Sequence, residues 1–244
     1  MKRIVIIGAT SGIGYEVARL CSRDGWLVGA AGRRHDRLEK LKTEIQKEGK
    51  EMATEVIDIT RQDAPEAFRR LIDQLGGMDI FLLCSGIGSQ NRLLDPAIEL
   101  DTVETNTVGF TRMVTAAWQF FRTQGYGQLA VISSIAGTKG LGAAPAYSAT
   151  KRFQNTYMDA LAQLARMEKL PITLTDIRPG FVRTDLLKGD AYPVEMQPDK
   201  VAAHLVHALK HKKRRVVIDW RYRGLVFFWR LIPEWLWERL PIHT

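Results

Sequence analysis

Short β-branched runs alternate with longer amphipathic runs along nearly the whole 244-residue chain, and this alternation constrains the fold more than any other feature. Strand patterns fall near 3–7, 26–31, 53–57, 79–84, 128–133, 172–177 and 215–219, with helical patterns at about 12–24, 35–48, 62–75, 96–123, 146–169 and 198–211. Strands separated by helices of ten or more residues cannot pair as hairpins, so the connections must be right-handed crossovers. The pattern predicts an α/β fold with a doubly wound, mostly parallel seven-stranded sheet. The length suits one well-buried core, and no linker interrupts it, so residues 1–220 are expected to form a single domain with 221–244 as its extension.

The opening "MKRIVIIGAT" sets basic residues before an apolar run, but Ile4–Ile7 is too short for the core of a signal peptide and reads as a first strand. No stretch approaches the roughly 20 apolar residues of a spanning helix. Two cysteines, Cys21 and Cys84, cannot build a disulfide framework and point to a reducing, cytoplasmic setting with both thiols buried. The net charge of +8 suits nucleic acid, anionic lipid or a phosphate-bearing ligand. No nucleic-acid-binding motif is present, so no nucleic-acid partner is expected.

Gly8, Gly12 and Gly14 follow the strand "RIVIIG" and open a helix near Ile13, with Thr10 and Ser11 inside the turn. Glycine lets the chain turn tightly and approach a pyrophosphate, while the helix start offers free N–H donors and a partial positive charge. This is the arrangement of a dinucleotide site at the end of the first strand. Strand two ends at Gly32, followed by Arg33 and Arg34, where an acidic residue would favour NAD and arginine accommodates a 2′-phosphate. The expected cofactor is NADP(H); the alternative is that both arginines lie exposed at a helix start.

In "PAYSATKRF" Tyr147 and Lys151 stand four apart at the start of a long helix and emerge on one face. Ser134 lies 13 residues before Tyr147 at a strand end. A tyrosine is a poor acid or base at neutral pH, but a neighbouring ammonium lowers its pKa, and Tyr147 could then exchange a proton with a hydroxyl held by Ser134.

With these residues in order, the sequence resembles the short-chain dehydrogenase/reductases over roughly residues 3–220. The match comprises the glycine turn at 8–14, "DIT" at 58–60, "ETNTVG" around Asn106, Ser134, Tyr147 with Lys151, and "RPGFVRTDL" at 178–186. The resemblance implies a Rossmann fold and carbonyl or alcohol chemistry on a nicotinamide cofactor. It implies Tyr147 as proton donor or acceptor, Lys151 as its electrostatic partner and ribose ligand, Ser134 as orienter of the substrate oxygen and Asn106 as holder of a relay water. Asp58 and Ile59 would contact adenine, Ser85 and Gly86 would line the adenosine side, and Val182 and Thr184, after the cofactor-binding pair Pro179 and Gly180, would fix the carboxamide. It also implies a homodimer or homotetramer, through helices such as 96–123 and 146–169. On their residues alone, Asn106 could be an ordinary helix polar group, Asp58 a cap for the following helix, and Thr184 an N-cap.

The letters "SGIG" recur at Ser85–Gly88, where the family carries Asn-Asn-Ala-Gly; here Leu83, Cys84, Ser85 and Gly86 keep only the glycine. Hydrogen bonds from the missing amides are expected to come from main chain, Ser85 or water, or to go unmade. The segments "GIGSQNRLL", "IAGTKGLGAA" and "TDLLKGDAYPVEMQ" should wall the substrate, are largely uncharged and suggest a neutral, fairly apolar carbonyl or alcohol, lipid- or steroid-like. Residues 185–198, with Gly189, Pro193 and Pro198, read as a lid. His204, His207 and His211 share a helical face, but no carboxylate or cysteine completes a metal site, so no metal is expected. In the tail, Leu225, Phe228, Trp229, Ile232 and Leu236 could form one apolar face beside Arg223, Arg230 and Arg239. That face suits internal or dimer packing, a cap over the cleft, or a peripheral membrane contact. The leading functional reading is an oxidoreductase; the alternative is a cofactor-sensing regulatory protein without turnover.

Overall fold

The computed structural model describes residues 1–187, 192 and 194–242. Seven strands, β1 (Arg3–Ile7), β2 (Leu27–Gly32), β3 (Met52–Val56), β4 (Ile80–Leu83), β5 (Gly127–Ile132), β6 (Ile172–Arg178) and β7 (Arg215–Val217), form one sheet in the order β3-β2-β1-β4-β5-β6-β7. Every neighbouring pair is parallel. The helices are α1 (Gly12–Arg23), α2 (His35–Lys47), α3 (Ala64–Leu75), α4 (Pro96–Val103), α5 (Phe110–Gln124), α6 (Pro145–Met167), α7 (Pro198–Lys210), α8 (Trp220–Leu231) and α9 (Glu234–Trp237).

The two-residue period of β1 explains why the sheet is covered on both faces. Ile4 and Ile6 join a core built with α1, α2, α7 and α8, while Val5 and Ile7 join a second core with α3, α5 and α6. A strand buried on both faces must be apolar throughout, as "IVII" is. Strand order reverses between β1 and β4, which opens a crevice outside their carboxyl ends. Register sets the floor of that crevice: Ile7 pairs with both Ala31 and Leu83, so Gly8 and Cys84 leave the sheet side by side, next to Gly32 at the end of β2.

Three expectations need correction. The helix predicted over 96–123 is two helices joined by a single π-helical turn, Glu104–Gly109, that holds Asn106. The predicted apolar face of the tail is not the buried one. Tyr222, Val226 and Trp237 are buried, whereas Phe228 is 64% exposed. Pro233 forces the chain out of α8, so α9 starts a new direction that the single-helix pattern could not accommodate. Cys84 is half-buried and lines the crevice, unlike the buried Cys21. Of the lid expected over 185–198, Gly189 and Pro193 lie outside the described residues; Pro198 begins α7, and Val182 forms a parallel bridge with Met196.

Candidate active site

The crevice at the β1–β4 switch is a cavity of about 1390 Å³, above the roughly 300–1,000 Å³ of a typical small-molecule site. It has room for a dinucleotide together with a second ligand. Every glycine-turn residue expected there lines it, as do Arg33, Arg34, Asp58, Ile59, Ser85, Gly86, Ser134, Tyr147, Lys151, Pro179, Gly180, Val182 and Thr184. Asn106 stands just behind the lining.

The glycine turn is built by backbone geometry. Gly8 has φ +96°, and a Cβ on it would stand 2.6 Å from the Ser85 backbone nitrogen. A Cβ on Gly14 would fall on the Gly8 carbonyl oxygen, so α1 starts directly against the turn. Ser11 caps α1 in extended conformation without a side-chain hydrogen bond, and the first turn holds no acidic residue. The helix start therefore keeps donors and positive potential for an anion. Arg34 lies over the turn, its Nη2 donating to Ser11 Oγ at 2.7 Å and to Thr10 Oγ1 at 3.0 Å. Arg34 and Arg37 both pair with Asp185, at 3.4 and 3.0 Å, and hold its carboxyl below the usual carboxylate range. Asp58 does not cap α3; its Oδ1 accepts from Thr60 N and Oγ1 in a local turn. Thr184 packs its methyl near Gly12.

Four catalytic candidates come from three elements. Ser134 follows β5, and its Oγ accepts from Ala136 N at 3.1 Å. Tyr147 and Lys151 lie on the first turns of α6, with Lys151 Nζ 5.7 Å from the Tyr147 ring centroid. Asn106 is fully buried in the π turn; its amide donates to Ile87 O at 2.7 Å and accepts from Ile87 N at 2.9 Å. Extra residues in a π turn free a carbonyl from the helical ladder. Here the Asn106 carbonyl accepts from Gln154 Nε2 at 2.8 Å.

Sequence reasoning passed over the residues that tie these groups together. Gln154 accepts from Lys151 Nζ at 3.1 Å while donating to the Asn106 carbonyl, which links the lysine to the π turn. Asp176, wholly buried on β6, accepts from Ser133 Oγ and from Arg178 Nε at 2.7 Å, and its charge favours the Lys151 ammonium. A lone aspartate inside the apolar strand "ITLTDIR" was the available signal, because a buried carboxylate needs a partner. Tyr222 is another: its OH donates to Val194 O at 3.0 Å and accepts from Phe181 N at 3.2 Å, locking the segment after β6. The second "SGIG" does more than line the cleft. Ile87 grips the Asn106 amide, and a Cβ on Gly88 would enter the Tyr147 ring, 2.7 Å from Cε2.

The electrostatics differ from the expectation that Lys151 would lower the Tyr147 pKa. Burial pushes the phenol up, and only the Ser134 hydrogen bond acts to lower it. Lys151 spends its protons on Ile132 O at 3.2 Å and Gln154, and burial lowers its own pKa to about 8 despite Asp176. The two groups therefore sit as a neutral phenol beside an ammonium at neutral pH. Burial also raises the Cys84 thiol, which keeps it protonated.

Residues 2–192 match the short chain dehydrogenase family. The chain belongs to that family. An uncharacterized oxidoreductase of Mycobacterium tuberculosis is 30% identical over 226 residues, covering 90% of this chain and 88% of the relative. Among solved structures, an alcohol dehydrogenase from Thermococcus sibiricus, complexed with 5-hydroxy-NADP, is 25% identical with a TM-score of 0.78, covering 89% of this chain and 96% of that one. A short chain dehydrogenase/reductase from Burkholderia phymatum, in complex with NAD, shares the fold with a TM-score of 0.84 at 16% identity, covering 93% and 92%. This family member is thus an oxidoreductase on a Rossmann-like sheet, in a family with neighbours bound to nicotinamide cofactors of both kinds.

No helix among the described residues is long and apolar enough to cross a membrane. The rings of His207, in α7, and His211, just past its end, lie 4.0 Å apart, and no metal-holding group of His, Cys, Asp and Glu occurs among the described residues.

Proposed function

We propose that this chain is an NADP(H)-dependent oxidoreductase that interconverts a secondary alcohol and a ketone or aldehyde on a neutral, fairly apolar substrate. One observation carries the reading: Ser134, Tyr147 and Lys151 open onto the same cleft as the uncapped start of α1 and the Arg33–Arg34 pair. The residues fit the cofactor. Gly8, Gly12 and Gly14 keep the turn low, the α1 start would take the pyrophosphate, and Arg33 and Arg34 would take the 2′-phosphate. Asp58 and Ile59 would meet adenine, Ser85 and Gly86 would line the adenosine side, and Val182 and Thr184 would meet the carboxamide. The nicotinamide, when bound, supplies or accepts the hydride.

The chain's own residues supply the proton and the positioning. Ser134 Oγ holds the substrate oxygen, and Tyr147 Oη gives it a proton during reduction; the raised phenol is in the correct state to donate at neutral pH. Lys151 stabilises the phenolate left behind, and Gln154 and Asn106 hold that lysine in place. Ile87, Leu141, Leu186, Leu187, Leu225 and Trp229 give the cleft its apolar lining. The tail helix thereby becomes part of the substrate wall.

An NADPH-oxidation screen over ketones, steroids and lipid carbonyls tests the reading. Reduction of an apolar carbonyl is expected; tight NADPH binding with no carbonyl reduced would replace the enzyme with a cofactor sensor. For cofactor choice, Arg33→Ala combined with Arg34→Ala should raise the KM for NADPH about tenfold or more, since hydrogen bonds to charged groups contribute roughly 1.5–3 kcal/mol and about 1.4 kcal/mol is tenfold. The KM for NADH should change little, and an equal rise for both cofactors would reject the phosphate assignment.

A further inference from the structure

A second cavity, of about 300 Å³, lies between α6, the β6–β7 edge and α8, and shares no lining residue with the main cleft. Four arginines line it: Arg152 from α6, Arg178 from β6, Arg215 from β7 and Arg230 from α8. One carboxylate, Asp159, also lines it, and both it and the nearby Asp176 are already engaged. Asp159 is shared by Arg214 and Arg215 at 2.8 Å each, and Asp176 is bound to Arg178. Arg152 and Arg230 have no acidic partner among the described ion pairs. Burial, together with the like charges of Arg178, Arg215 and Arg152, pushes the Arg230 guanidinium down.

A second observation points to a missing ligand. Asn155 lines the same cavity with only 3% of its surface exposed, and neither its Nδ2 nor its Oδ1 has a hydrogen-bond partner among the described residues. A buried amide left unpaired is costly, so such groups are normally satisfied. Nδ2 is a donor that an anionic oxygen would satisfy, and arginine's planar fork suits the oxygens of a phosphoryl group.

We propose that this cavity is a phosphoryl-binding site, formed by Arg152, Arg230 and Asn155 with Arg178 and Arg215 behind them, and separate from the cofactor cleft. The phosphoryl group could belong to a free phosphate compound or to an anionic lipid headgroup. Exposed Phe227, Phe228 and Leu231 flank Arg230 on α8, an apolar rim that would meet acyl chains in the second case.

Titration calorimetry of the full chain with inorganic phosphate at low salt tests the site, beside cosedimentation with phosphatidylcholine vesicles with and without phosphatidylglycerol. Arg152→Ala/Arg230→Ala should weaken phosphate binding about tenfold or more while carbonyl reduction and the melting temperature stay close to wild type. Arg230→Ala alone, on a side chain with no acidic partner among the described ion pairs, should weaken it in the same direction and guards against a misfolded double variant. Vesicle binding that needs phosphatidylglycerol and is lost in the variants identifies the headgroup as the source. Phosphate binding that the variants lose without any vesicle effect identifies a free phosphate. Phosphate and vesicle binding that are absent in wild type, or unchanged in both variants, overturn the proposal.

Discussion

Tyr147→Phe should lower the turnover of carbonyl reduction by about 10²–10⁴-fold, the usual contribution of a positioned general acid, while the KM for NADPH changes little. The substitution removes one oxygen and leaves the ring where Gly88 and α6 hold it, so a large loss of turnover isolates proton transfer from packing. Burial keeps the wild-type phenol protonated, and the partner that titrates is Lys151, whose pKa burial lowers to about 8. A lysine with a lowered value loses its charge as pH rises through that value. Wild-type reduction should therefore decline above about pH 8, with the ammonium that stabilises the phenolate. The residual rate of Tyr147→Phe should run flat through the same range, because no phenolate forms. Rates measured from pH 6 to 10 decide: a variant that keeps the wild-type decline, or loses less than about tenfold, removes Tyr147 from the proton step.

Much of the fold was legible because its causes are local. The "IVII" run, buried on both faces, and the helices between strands leave few topologies, and all seven strands lie where the alternation put them to within one or two residues. The π turn was not legible, since nothing in "ETNTVG" breaks a helix. It is held by Ile87 and Gln154, 19 and 48 residues away, whose hydrogen bonds no local pattern encodes. The tail misled for a different reason. Apolar residues occur on almost every face of "WRYRGLVFFWRL", so helical periodicity could not choose among them. Beside Val226, which packs into the core, the choice falls on side chains with a polar tip to satisfy: Tyr222 OH reaches Val194 O, and Trp237 Nε1 donates to Gly140 O at 2.6 Å. The Tyr147–Lys151 spacing correctly put both groups on one face, but spacing carries no information on burial, and burial dominates both pKa values.

Gly88→Ala should be nearly as damaging as loss of the phenol, although it touches no reacting atom. The added methyl would lie within the Tyr147 ring, 2.7 Å from Cε2 and 3.1 Å from Cγ, so either the ring or the 85–90 segment must move. The segment has little freedom, because Ile87 is pinned through both its N–H and its carbonyl to the Asn106 amide, itself locked in the π turn. The ring therefore yields, and a displacement of about 1 Å in a catalytic group can cost on the order of 10²-fold in rate. Overpacking also costs stability, typically about 1–3 kcal/mol, which a melting curve registers while the chain remains folded at 25 °C. Expected together are a kcat lower by about 10²-fold, a KM for NADPH close to wild type, and a modest fall in melting temperature. A kcat within about threefold of wild type would mean that the segment moves instead, and that the second "SGIG" does not position the tyrosine.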